Sequence, residues 1–258
     1  MSLRVDVGWL VAALLLSLRF AAATALTPVL GPTQIPALAR VVLALAFGGL
    51  LAAALPMAQT QPAVSIAQLT VAAVAELIVG FSFAFGFIVA FGATQLAGRA
   101  LDIEIGFGAA SVLNPTTQVA APLLGSVFGM VAVAVFLAMG GHLVLLKALA
   151  ASVTAMPPGQ FAIALDGAAV LEHSAATFAF ALAFAGPVML LFLLSDLTMA
   201  VLARSMPQLN VFVLGFAVKI VLGLTGLAVS IRFADAVLDH LFAATFSYWD
   251  STVRGIEH

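Results

Sequence analysis

The chain has no cysteine, a single tyrosine and very little charge: 8% of its 258 residues are Asp, Glu, Lys or Arg. Without cysteine it can form no disulfide, thiolate metal site or thiol nucleophile, and the redox compartment stays open. The scarcity of charge excludes more. Soluble domains carry about 25% charged residues, whereas 64% of this chain is hydrophobic and its mean hydropathy is +1.23. This is a membrane-class chain. Its nine Lys and Arg are scattered and its formal net charge is −2, so no basic face exists for nucleic acid. No polar stretch is long enough to form a soluble domain beside the apolar one. The motifs H-E-x-x-H and G-x-S-x-G are missing, as is a phosphate-cradling glycine loop. Asp235, Asp239 and His240 make a weak grouping of metal-ligand types. No enzyme activity, cofactor or metal is expected.

What the chain does have is long hydrophobic runs. With about 20 apolar residues needed to cross a bilayer, spans are expected over residues 9–30, 38–55, 66–96, 123–156, 168–203 and 208–231, followed by a polar, amphipathic tail. Pro32, Pro36, Pro56, Pro62, the pair Pro157-Pro158 before Gly159, and Pro207 fall where helices should stop. Pro187 predicts a kink within its helix. The fold class is all-α, a hydrophobic membrane-class protein of long, kinked helices and helical hairpins. Arg4, the apolar run from Trp9 and the small residues after Phe20 imitate a secretory signal. Arg19 interrupts that run, so an uncleaved first helix is expected. Too few basic residues lie in loops to fix an orientation.

Glu76, Lys147, Asp196 and Lys219 each sit inside a hydrophobic segment. An unpaired charge at mid-bilayer costs about 2.5–3.5 kcal/mol, so these four must pair, line a wet cavity or lie outside the hydrocarbon. Gly80, Gly86, Gly92 and Gly98 recur every six residues in the third segment among Phe81, Phe83, Phe85, Phe87 and Phe91. Such small residues let helix backbones approach closely, within one bundle or against partner subunits, and the partners are slightly favoured.

The strangest stretch is GFGAASVLNPTTQ, residues 106–118. Gly106 and Gly108 admit unusual backbone geometry and Pro115 pushes Asn114 out of the helical region, so a continuous helix across it is excluded. Just before it, Arg99 and Asp102 share a helix face as a plausible ion pair, while Glu104 stands alone. Irregular backbone at membrane depth survives only when buried in protein or lining water. The stretch is therefore either a solvated connector or a loop folded into a channel. Its dozen residues exceed what a hairpin needs. The phrase ARSMPQLN, with Arg204, Pro207, Gln208 and Asn210, reads as a tight turn between two long helices. His142 after Gly140-Gly141 marks a kink and is a packing or hydrogen-bonding residue; His173 and His240 look like helix-end or tail residues.

Four segments, LRFAAATALTPVLGPTQIPALARVVLALA, LAGRALDIEIGFGAASVLNPTTQ, FLAMGGHLVLL and LSDLTMAVLARSMPQLNVFVLGFAVKI, occur in this order. Along nearly its whole length the chain resembles the FliR family of flagellar export-gate proteins, whose injectisome relatives are called SctT. That resemblance implies one domain, with residues of about 1–200 FliP-like and about 201–258 a FliQ-like helical hairpin and tail. One copy would assemble with several copies of FliP and FliQ into a helical gate of the basal body at the bacterial inner membrane. FlhB and FlhA would lie nearby, and unfolded export substrates would pass through. It also implies a plug loop, matched here by Gly106, Phe107, Gly108, Ser111, Asn114, Pro115, Thr116 and Gln118, with Arg99, Asp102 and Glu104 at its base. Arg204, Pro207, Gln208 and Asn210 would shape the hairpin tip and contact neighbours. An injectisome subunit, a secondary transporter using a broken helix and embedded carboxylates, and a purely structural scaffold are the alternatives.

Overall fold

The computed structural model describes residues 7–25, 27, 35–54, 65–106, 123–159, 167–206, 208 and 210–256. Every regular element among them is a helix: α1 (Val7–Ala25), α2 (Ala37–Ala54), α3 (Ile66–Ile105), α4 (Leu123–Ala138), α5 (Gly141–Ala155), α6 (Gly167–Ser205) and α7 (Val211–Ile256). Four of these, α1, α2, α3 and α6, are long and apolar enough to cross a membrane, and α4 with α5 makes a fifth if the broken pair is one span. The breaks fall near the expected places. Gly140 adopts φ +72° between α4 and α5, a conformation that glycine enters without a Cβ penalty. Pro187 lies inside α6 without ending it.

Two expectations are corrected. Helix α3 runs beyond the expected apolar span of 66–96 and carries Arg99 and Asp102, expected on one helix face, together with Glu104 to Ile105; Gly106, at φ +88°, terminates it. The polar tail is not a separate element. It is the second half of α7, 46 residues in one helix, whose buried face carries Leu238, Leu241, Phe242, Thr245, Tyr248, Trp249 and Thr252 at spacings of three and four. At about 1.5 Å per residue, the 40 residues of α3 and 39 of α6 each run roughly 60 Å, twice a bilayer's ~30 Å hydrocarbon core. Both must tilt or extend beyond it.

The chain forms two compact units. The first comprises residues up to 89, 137–174 and those from 243 onward. Here α1 and α2 pack with Phe20 stacked on Phe47 at 4.6 Å, and a Cβ on Gly48 would lie 2.6 Å from the Ala13 carbonyl oxygen. Phe87 packs on Trp249 at 4.9 Å, whose indole N–H donates to the Phe83 carbonyl at 3.0 Å. His173 is buried rather than a solvated helix end: it stacks on Tyr248 at 4.8 Å, with Nε2 3.3 Å from the Gly86 carbonyl.

The second unit comprises residues 90–136 and 175–242. Its core sets Ala93, Ala97, Leu101 and Ile105 of α3 against Leu124 and Phe128 of α4 and Ala181, Ala185, Val188 and Phe192 of α6. The α3 and α6 stripes follow helical spacing. Phe91, Phe136 and Phe242 form an aromatic triad with centroids 5.3–6.2 Å apart.

The six-residue glycine series resolves physically. At about 100° per residue, successive members point in directions roughly 120° apart and so meet different neighbours. Gly80 lies against α1, Gly86 against Trp249 and Gly98 against Gly125, while none of the described residues lies near Gly92. Three of the four thus serve packing within the chain, correcting the preference for partner contacts. A Cβ at Gly80 would stand 2.4 Å from the Arg19 carbonyl oxygen, so Gly80→Ala is expected to cost about 1–3 kcal/mol by forcing two backbones apart, read as a lowered thermal midpoint in detergent.

Candidate functional site

Where the helical core stops, the last turn of α3 meets the first turn of α4. Asp102 is 4% exposed and its carboxylate accepts the backbone N–H of Leu124 at both oxygens, 3.1 Å each, and of Gly125 at 3.3 Å. The first N–H groups of a helix have no partner within it and carry partial positive charge, so a carboxylate there both caps and neutralises. Asp102 therefore caps a helix 22 residues further along the chain. The approach is close because Gly98 faces Gly125: a Cβ on Gly98 would lie 2.4 Å from the Gly125 Cα. Gly106 closes α3 with its N–H bonded to the Ile103 carbonyl at 3.1 Å. The end of α3 and the start of α4, which flank the central stretch, are thus held together at one point. Phe107, Gly108, Ser111, Asn114, Pro115, Thr116 and Gln118 lie outside the described residues.

The expected Arg99–Asp102 pair is not made. Arg99 is exposed and Asp102 turns to α4 instead. Glu104 is half-buried and takes part in none of the ion pairs among the described residues.

The embedded charges divide three ways. Asp196 and Lys219 pair across α6 and α7, with the ammonium 2.8 and 2.9 Å from the two carboxylate oxygens; this pair is partly exposed. Glu76 is fully buried and pairs with Arg19, whose Nε lies 2.6 Å from Oε2. Arg19 also donates to Ser152 Oγ and the Met156 carbonyl, each at 3.0 Å, and Glu76 Oε1 accepts the Gly159 N–H at 3.3 Å. The network ties α1, α3, α5 and the Pro-Pro-Gly turn together. Lys147 is exposed on α5 and unpaired among the described residues. In the sequence Arg19 interrupts a signal-like run, but a base inside an apolar helix is the same signal as an embedded acid, and it complements Glu76 in charge.

At the turn between α6 and α7, Arg204 and Gln208 are exposed. Asn210 Oδ1 accepts the Val213 N–H at 3.3 Å, a helix N-cap. Pro207 lies outside the described residues.

A family model for bacterial export proteins, family 1, matches residues 10–245, all but the ends of the chain. The chain belongs to that family, the FliR/SctT family of the sequence reading. It is similar to the flagellar biosynthetic protein FliR of Escherichia coli K12, 27% identical over 89% of this chain and 88% of that one. FliR of Bacillus subtilis is 29% identical over 66% of this chain and 67% of its own length. The secretion system apparatus protein SsaT of Salmonella typhimurium is 31% identical over 62% of each. With its four or five spanning helices, this export-family chain is a multi-pass membrane protein.

Proposed function

We propose that the chain is a non-enzymatic subunit of a flagellar type III protein-export gate in the bacterial inner membrane, and that residues 106–118 form a loop that plugs its pore. Together with FliP-like and FliQ-like chains it forms the channel for unfolded export substrates, with FlhB- and FlhA-like proteins nearby. Residues of about 1–200 take the FliP-like place and about 201–258 the FliQ-like one.

The observation that carries this reading is the clamp at Asp102. The helices that flank the break are held together at a single point, and the composition of the break, small residues with Asn-Pro, resists helix formation. That suits a segment that must yield to a passing chain and reseal. The large exposed apolar side chains of α6, among them Leu182, Leu190, Leu194 and Leu197, supply surface for neighbouring subunits. Helices twice as long as the hydrocarbon is thick also fit an assembly standing partly clear of the bilayer. The flagellar reading is preferred to the injectisome one because the FliR relatives match over more of the chain than SsaT.

The test is co-expression with FliP-like and FliQ-like chains from the same genome. A stable complex on native purification, together with loss of flagellin secretion in cells lacking this chain, is the expected result. Solute transport by this chain alone in vesicles, with no stable complex, favours the transporter reading.

A further inference from the structure

In the first unit, α1, the first half of α2 and the start of α3 enclose a groove of about 760 Å³. Its walls are apolar, with Val11, Leu14 and Leu18 on one side and Val41 and Leu45 on the other. Three hydroxyls reach it, and each is already satisfied on its own helix: Ser17 donates to the Leu14 carbonyl, Thr24 to Phe20 and Thr70 to Ile66. Arg40 is the exception. Among the described residues its buried Nε has no hydrogen-bond partner, and none of the ion pairs includes it.

The groove has a direction. Phe47 on Phe20 and Gly48 on Ala13 and Ser17 set α1 and α2 antiparallel. Arg40, seven residues before Phe47, therefore lies about 10 Å from that stack toward the C-terminal end of α1. The cation stands at one end and the apolar walls run away from it along α1, from Ala25 to Val11, a length of about 21 Å.

We infer that this groove binds one acyl chain of an anionic glycerophospholipid, with its phosphate on the Arg40 guanidinium. A buried guanidinium N–H without a partner is costly, and phosphate matches its planar donor fork. Basic pockets between membrane helices take anionic head groups in this manner. At about 21 Å the groove is longer than the ~15 Å that one leaflet's chains reach, which leaves room at the Arg40 end for the glycerol and phosphate.

The test is native mass spectrometry of the full-length chain in neutral detergent, titrated with phosphatidylglycerol or phosphatidylcholine. One phosphatidylglycerol should be retained about tenfold more tightly than phosphatidylcholine. Arg40→Gln should erase that preference, Arg40→Lys should keep part of it, and Leu14→Trp, which fills the groove and leaves Arg40 intact, should release both lipids. Equal retention of the two lipids, or undiminished phosphatidylglycerol on Arg40→Gln, overturns the inference. So does a photoreactive side chain at Leu45 that captures protein and no lipid in native membranes.

Discussion

Glu76→Ala is expected to destabilise the first unit by about 3–5 kcal/mol, enough to remove much of the protein from the membrane fraction. The substitution leaves the Arg19 guanidinium, 1% exposed, with its charge uncompensated between α1, α3 and α5. The remaining bonds to Ser152 and the Met156 carbonyl are dipolar and do not neutralise it. Arg19→Ala should do comparable harm by stranding the carboxylate. The double change Arg19→Leu with Glu76→Leu should recover most of the loss, because replacing both members of a buried pair by apolar groups is often neutral or better. Ser152 keeps its bond to the Leu149 carbonyl and Gly159 is exposed, so the Met156 carbonyl is the group that the double change leaves without its donor. Thermal midpoints of the three variants in one detergent check this; a double variant as unstable as the singles would show that the network does more than neutralise its own charges.

The second large effect is expected at Asp102. Asp102→Ala removes the acceptor of two buried N–H groups at the head of α4, with an expected loss of about 2–3 kcal/mol, since hydrogen bonds to charged groups are worth about 1.5–3 kcal/mol. The damage should be local. Amide hydrogen exchange should accelerate in the first turn of α4, and not around Trp249 in the other unit. Asp102→Asn, which keeps one acceptor oxygen and loses the charge, should fall between. Gly98→Ala tests the same contact from its other side by pushing α3 from α4. If the clamp fixes the loop's ends, both should also raise the ion leak of cells carrying the gate. Unchanged exchange in α4 would remove the clamp from the account.

The helices were legible because hydropathy and breakers are local: the expected span at 38–55 is α2 at Ala37–Ala54, one residue off. Two extensions were read wrongly for a shared reason. The expected span in α3 ends at residue 96 because the apolar run ends there, and the residues after Ile231 read as an amphipathic tail, yet polarity alone does not stop a helix where proline is absent and a buried stripe continues. Leu238, Leu241, Thr245, Tyr248 and Thr252 keep that stripe going, so the second error was avoidable. Pairing was less legible. Asp102 had a basic neighbour three residues away and instead caps a helix 22 residues on, while Glu76 lies 57 residues from Arg19. Separations of that kind are set by packing, which no local spacing encodes.

The most direct test of the central claim is the proton and sodium leak of cells whose own copy lacks residues 106–118, with assembly of the complex checked by native co-purification. The account predicts an assembled complex and a leaky membrane. An assembled complex with a tight membrane and normal secretion would contradict it, leaving residues 106–118 a connector between α3 and α4.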